Sequence, residues 1–187
     1  MSVGAFLARL TRVLDDAQIP TMFCGSIAST YYGMPRTTQN VDLIVDLRPE
    51  DISRLLAAFP ETDYYVSEDA AREAVRRRSQ FNVIDFQTGW KADLIVRRAR
   101  AFSENELIRR QRVEILGAEV WLATAEDTVL AKPEWAAMSD SERQERDVAA
   151  ILRIRGAKLD WDYLERWAAV LAISDVLQRL KLQATVG

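Results

Sequence analysis

Apolar residues recur at helical spacing from Val3 to Ala17, with Phe6, Leu7, Leu10, Val13 and Leu14 on one side and charges between them. That pattern predicts an amphipathic helix. Thr21 to Cys24 predicts a short buried strand, and Gly25-Ser26 then turns the chain into a helix stopped by Gly33 and Pro35. Val41 to Asp46 predicts a second strand. Pro49 opens a helix to Phe59, whose early Glu50 and Asp51 suit the positive helix end. Tyr64 to Val66 predicts a strand, followed by a helix capped by Ser67. Phe81 to Phe86 and Trp90 to Val96 predict a hairpin about Gln87-Thr88-Gly89. A short helix, Ser103 to Arg109, precedes an extended pair, Arg112 to Ile115 and Glu119 to Leu122, around Leu116-Gly117.

From Thr124 the pattern is helical throughout. Thr124 and Asp127 resemble a capping box with Asp in place of Glu or Gln. Helices follow from Ser141 to Arg155, closed by Gly156, from Asp160 to Ala172, and from Asp175 to about Gln183. The stripe Trp161, Leu164, Trp167, Val170 and Leu171 has the spacing of a core face. The expected fold is thus α/β (α+β), with a mixed sheet flanked by helices over 1–123 and a helical subdomain over 124–187. No linker or repeat separates the two, so they are expected to pack as one unit.

Composition narrows the chemistry. No apolar stretch approaches the roughly 20 residues that a bilayer span needs. Charges within the first helix argue against a secretory leader. The one cysteine, Cys24, allows no intrachain disulfide, which fits a reducing cytoplasm, and its apolar strand suggests a buried, inert thiol. The absence of histidine excludes a Ser-His-Asp triad, His-ligated zinc and imidazole acid–base catalysis. The net charge is −3, yet Arg72 to Arg112 holds 11 basic and 5 acidic side chains. That basic middle either faces a polyanion such as RNA or forms solvated helix ends, as Arg76, Arg77 and Arg78 suggest.

The acidic strand positions carry the chemistry. Asn40 and Asp42 alternate along a strand and so share a face. Asp93 interrupts a second apolar run, Ala92 to Val96. A carboxylate in such a run is costly unless paired, hydrogen-bonded or bound to a cation. If the two strands are neighbours, Asp42 and Asp93 converge into the hard-oxygen environment that Mg²⁺ prefers, substrate phosphates completing its shell. Taken singly, each Asp could instead cap a turn or pair with an arginine. Gly25-Ser26, where a strand gives way to a helix, could offer N–H groups and a hydroxyl to phosphate.

Cys24-Gly25-Ser26 followed by Gly33 to Leu43 resembles the signature of the nucleotidyltransferase superfamily, in which a Gly-Ser turn precedes an Asp-x-Asp strand and a later Asp, here Asp93. The segments Glu126 to Lys132 and Glu142 to Val148 are similar to the minimal AbiEii/AbiGii-toxin-type branch. The resemblance, spanning about 20 to 155, implies that Gly25 and Ser26 hold nucleotide phosphates and that Asp42 ligates Mg²⁺. It implies that Asp93 ligates metal or takes the acceptor's proton, that Lys132 offsets phosphate charge, and that Asp147 orients the lysine or the nucleotide. Lys132 and Asp147 have a plainer alternative as a helix–helix salt bridge. Arg36 and Thr38 are expected to support the loop or contact phosphate. The implied activity is transfer of a nucleoside monophosphate from an NTP to a hydroxyl, on RNA such as tRNA or on protein, in a toxin–antitoxin setting with an antitoxin as partner. An aminoglycoside-like acceptor has less support. Two departures stand out. Asn40 replaces the first Asp and removes one negative charge, which leaves a degenerate nucleotide-binding or regulatory protein as the alternative. Pro133 follows Lys132 and is expected to put that lysine at a helix end or kink.

Overall fold

The computed structural model describes residues 2–35, 38, 40–139 and 142–186. In chain order the elements are α1 (Val3–Asp16), β1 (Thr21–Phe23), α2 (Gly25–Tyr32), β2 (Asn40–Val45), a 3-10 turn at Pro49–Asp51, α3 (Ile52–Ala58), β3 (Tyr64–Val66) and α4 (Glu68–Arg77). They continue with β4 (Gln80–Asp85), β5 (Lys91–Val96), α5 (Ala101–Arg109), β6 (Gln111–Ile115) and β7 (Ala118–Leu122). Four helices follow, α6 (Ala125–Ser139), α7 (Glu142–Arg155), α8 (Trp161–Val170) and α9 (Ser174–Val186). The chain divides into two compact units, residues 1–26 with 38–123, and residues 27–37 with 124–187.

The first unit holds a mixed seven-stranded sheet ordered β3-β4-β5-β2-β1-β7-β6. β2 runs parallel to β5, and β1 parallel to β7. The remaining neighbours, β1–β2, β3–β4, β4–β5 and β6–β7, are antiparallel. Strand period decides what each face carries. Val41, Leu43 and Val45 of β2 and Ala92, Leu94 and Val96 of β5 alternate onto one face and are fully buried. Phe6, Leu7, Leu10 and Leu14 of α1, Leu55 of α3 and Ala71 of α4 are fully buried too. Each large side chain so placed contributes about 1.5–3 kcal/mol through water exclusion.

The opposite face is apolar at one end only. Met22, Ile44, Leu107 and Ala123 form a small cluster there, with Cys24, Ile95 and Trp121 packed against it. Toward the start of β2 and β5 the same face turns polar.

Several arginines of the basic segment pair with carboxylates. Arg72 pairs with Glu68, Arg76 and Arg77 with Glu73, and Arg97 with Asp46 and Glu104. Arg112 reaches Asp15 and Glu119, and both Arg110 and Arg112 lie over the Trp121 ring. The helix-end reading accounts for Arg76 to Arg78 well: α4 ends on Arg78 in the left-handed conformation, its preceding arginines at the negative helix terminus.

The second unit is helical and includes most of α2, which the sequence pattern had assigned to the first domain. Packing explains the difference. A methyl group added to Gly33 would lie 3.2 Å from Ile151 Cγ1, and the Arg155 guanidinium lies 5.7 Å from the Tyr32 ring centroid. Burial pushes the Tyr32 hydroxyl's pKa well up, so it stays protonated.

α6 begins on a buried knot. Thr124 Oγ1 accepts from the Asp127 amide at 3.1 Å and donates to Asp127 Oδ2 at 2.6 Å. Asp127 thus closes the cap through the threonine hydroxyl. Tyr163 of α8 donates its hydroxyl to Asp127 Oδ1, and Asp127 is fully buried. On α7, Glu145 accepts two hydrogen bonds from Arg179 of α9 at 2.7 Å, which holds its carboxyl below the usual pKa range. Because Tyr163 satisfies a buried carboxylate, Tyr163→Phe should lower the unfolding free energy by about 1–3 kcal/mol in chemical denaturation. No change in that energy would contradict the role given to the Asp127 knot.

Candidate active site

The parallel register of β2 on β5 brings the acidic positions together. Asp42 faces Asp93 as a direct partner, Asn40 faces Lys91, and Ile44 faces Ile95. On the other side of β5, Asn82 of β4 is the partner of Asp93 and Ile84 that of Lys91. Register partners share a face, and adjacent strands lie about 5 Å apart. A polar row therefore crosses three strands as Asn82, Asp93 and Asp42, with Asn40 and Lys91 in the next row. Beyond Asp42 the row meets the end of β1, where the Cys24 amide donates to the Asp42 carbonyl at 2.9 Å.

Gly25 and Ser26 close this edge. Gly25 takes φ of +54°, and a methyl group there would lie 2.1 Å from Asp42 Oδ2 and 2.7 Å from its Cγ. Its bare Cα thus lets the turn rest directly on the carboxylate, a closeness that any side chain would forbid. The Ser26 amide points at Asp42 Oδ2 from 3.4 Å. The Ser26 hydroxyl donates to Thr38 Oγ1 at 3.0 Å, and Thr38 donates in turn to the Asn40 carbonyl at 2.7 Å. Ser26 and Thr38 therefore fix the backbone entering β2, and the Ser26 hydroxyl proton is engaged within the protein. The turn thereby positions Asp42. Arg36 lies outside the described residues.

Asp93 is 8% exposed, and its Oδ1 is sealed from solvent with no directed hydrogen bond. Charge is supplied there instead: Lys91 Nζ lies 3.1 Å from that oxygen. Asn82 and Lys91 were not singled out from the sequence. The signal for both was spacing, since Asn82 alternates with the buried Phe81 and Val83, and Lys91 stands two residues before Asp93.

Lys132 and Asp147 meet within the second unit. Lys132 Nζ donates to Asp147 Oδ2 at 2.8 Å and to Gln144 Oε1 at 2.6 Å, and the lysine is only 4% exposed. The helix–helix salt bridge is thus real, and it is buried. The helix does not end at Lys132, because α6 runs from Ala125 through Pro133 to Ser139. Val129 and Leu130 are fully buried one turn earlier, and such tertiary packing outweighs the local preference.

No family model matches the chain, and no curated protein matches it. Solved structures do. The antibiotic-resistance factor ANT(2'')-Ia, in complex with adenylyl-2''-tobramycin, aligns over 90% of this chain and 95% of its own, with TM-score 0.57 at 14% identity. An antigenic nucleotidyltransferase-like protein from Paracoccidioides brasiliensis aligns over 96% and 92%, with TM-score 0.54 at 15% identity. The lincomycin-bound lincosamide antibiotic adenylyltransferase LnuA aligns over 82% and 98%, with TM-score 0.54 at 8% identity. The fold is that of the nucleotidyltransferases.

The nucleotidyltransferase fold is thus common to chains with very little sequence in common. Gly25→Ala should displace Asp42 and strain the turn, lowering stability by about 1–3 kcal/mol. Thermal melting together with a crystal structure checks this, and an unmoved Asp42 in a fully stable variant would refute the close-approach argument.

Proposed function

We propose that the chain is a nucleotidyltransferase moving a nucleoside monophosphate from an NTP onto a hydroxyl acceptor, with release of pyrophosphate. The observation that carries this reading is the in-register pair Asp42–Asp93 on a polar patch of the sheet, beside a turn that touches Asp42 directly. The resemblance to the AbiEii/AbiGii-toxin-type branch favours an RNA end, such as that of tRNA, or a protein side chain as acceptor. Tobramycin and lincomycin, named with the fold relatives, keep a small hydroxylated molecule among the acceptors to test.

Mg²⁺ is the implied metal, and the donor set fits it: two carboxylates and one amide oxygen, all hard donors. Among the described residues no group of three or more His, Cys, Asp or Glu forms a metal site. A third protein oxygen would therefore come from Asn40, and the rest of the shell from substrate phosphates and water. When bound, the ion would offset triphosphate charge and stabilise the departing pyrophosphate. The protein's part is positioning. Gly25 and Ser26 set Asp42, Thr38 fixes the Asn40 backbone, and the sheet aligns Asp93. The acceptor oxygen forms a bond to the α-phosphorus as the α–β bridge breaks. The hydroxyl proton passes to Asp93 where that carboxylate is not a metal ligand, and otherwise to water.

A second reading, a degenerate nucleotide-binding protein, is favoured by one observation: the site contains two carboxylates, and one of them is held by Lys91. Asn40→Asp separates the two readings, because a large gain over an inactive parent identifies degeneracy. The transferase reading expects labelled NTP and Mg²⁺ to modify tRNA, protein or a hydroxylated small molecule, with a loss of about 10³-fold or more in Asp42→Ala, as expected when electrostatic stabilisation is removed. Full activity in that variant would sink the site assignment.

A further inference from the structure

We infer that Lys91 sets the cation capacity of this site, occupying one oxygen of Asp93 so that a single divalent ion is held. The inference rests on the metal-dependent reading above and adds to it a residue that neither the motif nor the fold assigned. Lys91 and Asp93 sit two apart on β5 and share its polar face, with Nζ 3.1 Å from Oδ1. The sealed oxygen belongs to a side chain that is still 11% exposed, so what accessibility Asp93 retains lies elsewhere on it, its Oδ2 included. Asp93 thus offers outward at most one oxygen.

The cross-strand neighbours of Lys91 are Asn40 and Ile84, neither of them charged. Among the described residues its ion pair is with Asp93. Asn40, Asp42, Asp93 and Lys91 together carry a single negative charge. Two divalent ions in one site lie about 3.5–4 Å apart, and their repulsion must be offset by surrounding anions. Without the phosphates of a bound nucleotide, this set is too weakly negative for that. Its lysine instead delivers one positive charge from the rigid sheet, next to where an acidic residue at position 40 would otherwise add a negative one. Asp93 is mostly buried, so solvent screens the pair less than it would at an open surface.

Lys91 is therefore a positioning and charge-setting residue. It also bears on Asn40: a carboxylate introduced at position 40 would stand beside the ammonium and be partly neutralised. The effects of Asn40→Asp and Lys91→Met on metal affinity should then be non-additive, as for side chains in one charge network.

Mn²⁺ titration of the full chain, followed by the electron paramagnetic resonance of the free ion, tests this without any turnover. The wild type should bind one Mn²⁺ weakly, and Asp42→Ala should abolish that binding. Lys91→Met should bind about tenfold more tightly, between the effect of a unit charge in water and in a partly buried site, or should take up a second ion. Lys91→Arg should keep the wild-type affinity. Added Mn²⁺ should raise the melting temperature of Lys91→Met more than that of the wild type, and Lys91→Gln repeats the test with a different neutral side chain. Unchanged or weaker binding in both neutral variants, with Asp42→Ala still abolishing it, overturns the role of Lys91 and leaves the metal reading standing. No Mn²⁺ binding in wild type or any variant overturns the metal reading, and the role of Lys91 with it.

Discussion

The in-register parallel pairing of β2 with β5 is the constraint on which the site depends. It couples two strands far apart in sequence, and it sets Asp42 opposite Asp93 while Val41, Leu43 and Val45 enter the core with Ala92, Leu94 and Val96. A slip of one residue would exchange these sets, burying a carboxylate and exposing a valine. The core face therefore fixes the register, and the register fixes where the carboxylates stand. Hydrophobic burial and the placement of charge are two consequences of one alignment.

Gly25 tightens that arrangement from the side. A left-handed residue without a Cβ lets the turn contact the Asp42 carboxylate, while Ser26 and Thr38 anchor the peptide at Asn40. These contacts are short-range and local, so they were set by the same few residues that drew attention in the sequence. In the first unit Gly25 and Ser26, the pair expected to hold phosphate, contact the protein's own carboxylate and the Thr38 hydroxyl.

Much of the fold was legible because its elements obey their periods. α1, the β4–β5 and β6–β7 hairpins and the Ser67 cap follow from apolar spacing, turn residues and one hydroxyl. Tertiary effects were less visible. Nothing local says that α2 joins the helical unit, since that depends on Gly33 meeting Ile151 some 120 positions away. Pro133 predicts a break that the packing of Val129 and Leu130 overrides. Of the candidate site, Asn40, Asp42 and Asp93 could be picked out because polar residues in apolar strands are costly. Lys91 could not, because a lysine at a strand start is ordinary until its partner is known.

That partner adds one ammonium to the amide and two carboxylates expected from the sequence. The central claim is that this patch is where metal and nucleotide bind. A crystal structure with Mn²⁺ and a non-hydrolysable NTP measures it most directly, through the anomalous signal of the ion. The account predicts one Mn²⁺ peak contacting Asp42 and the nucleotide phosphates, with Lys91 still on Asp93. Nucleotide and Mn²⁺ bound together away from Asp42 would contradict it.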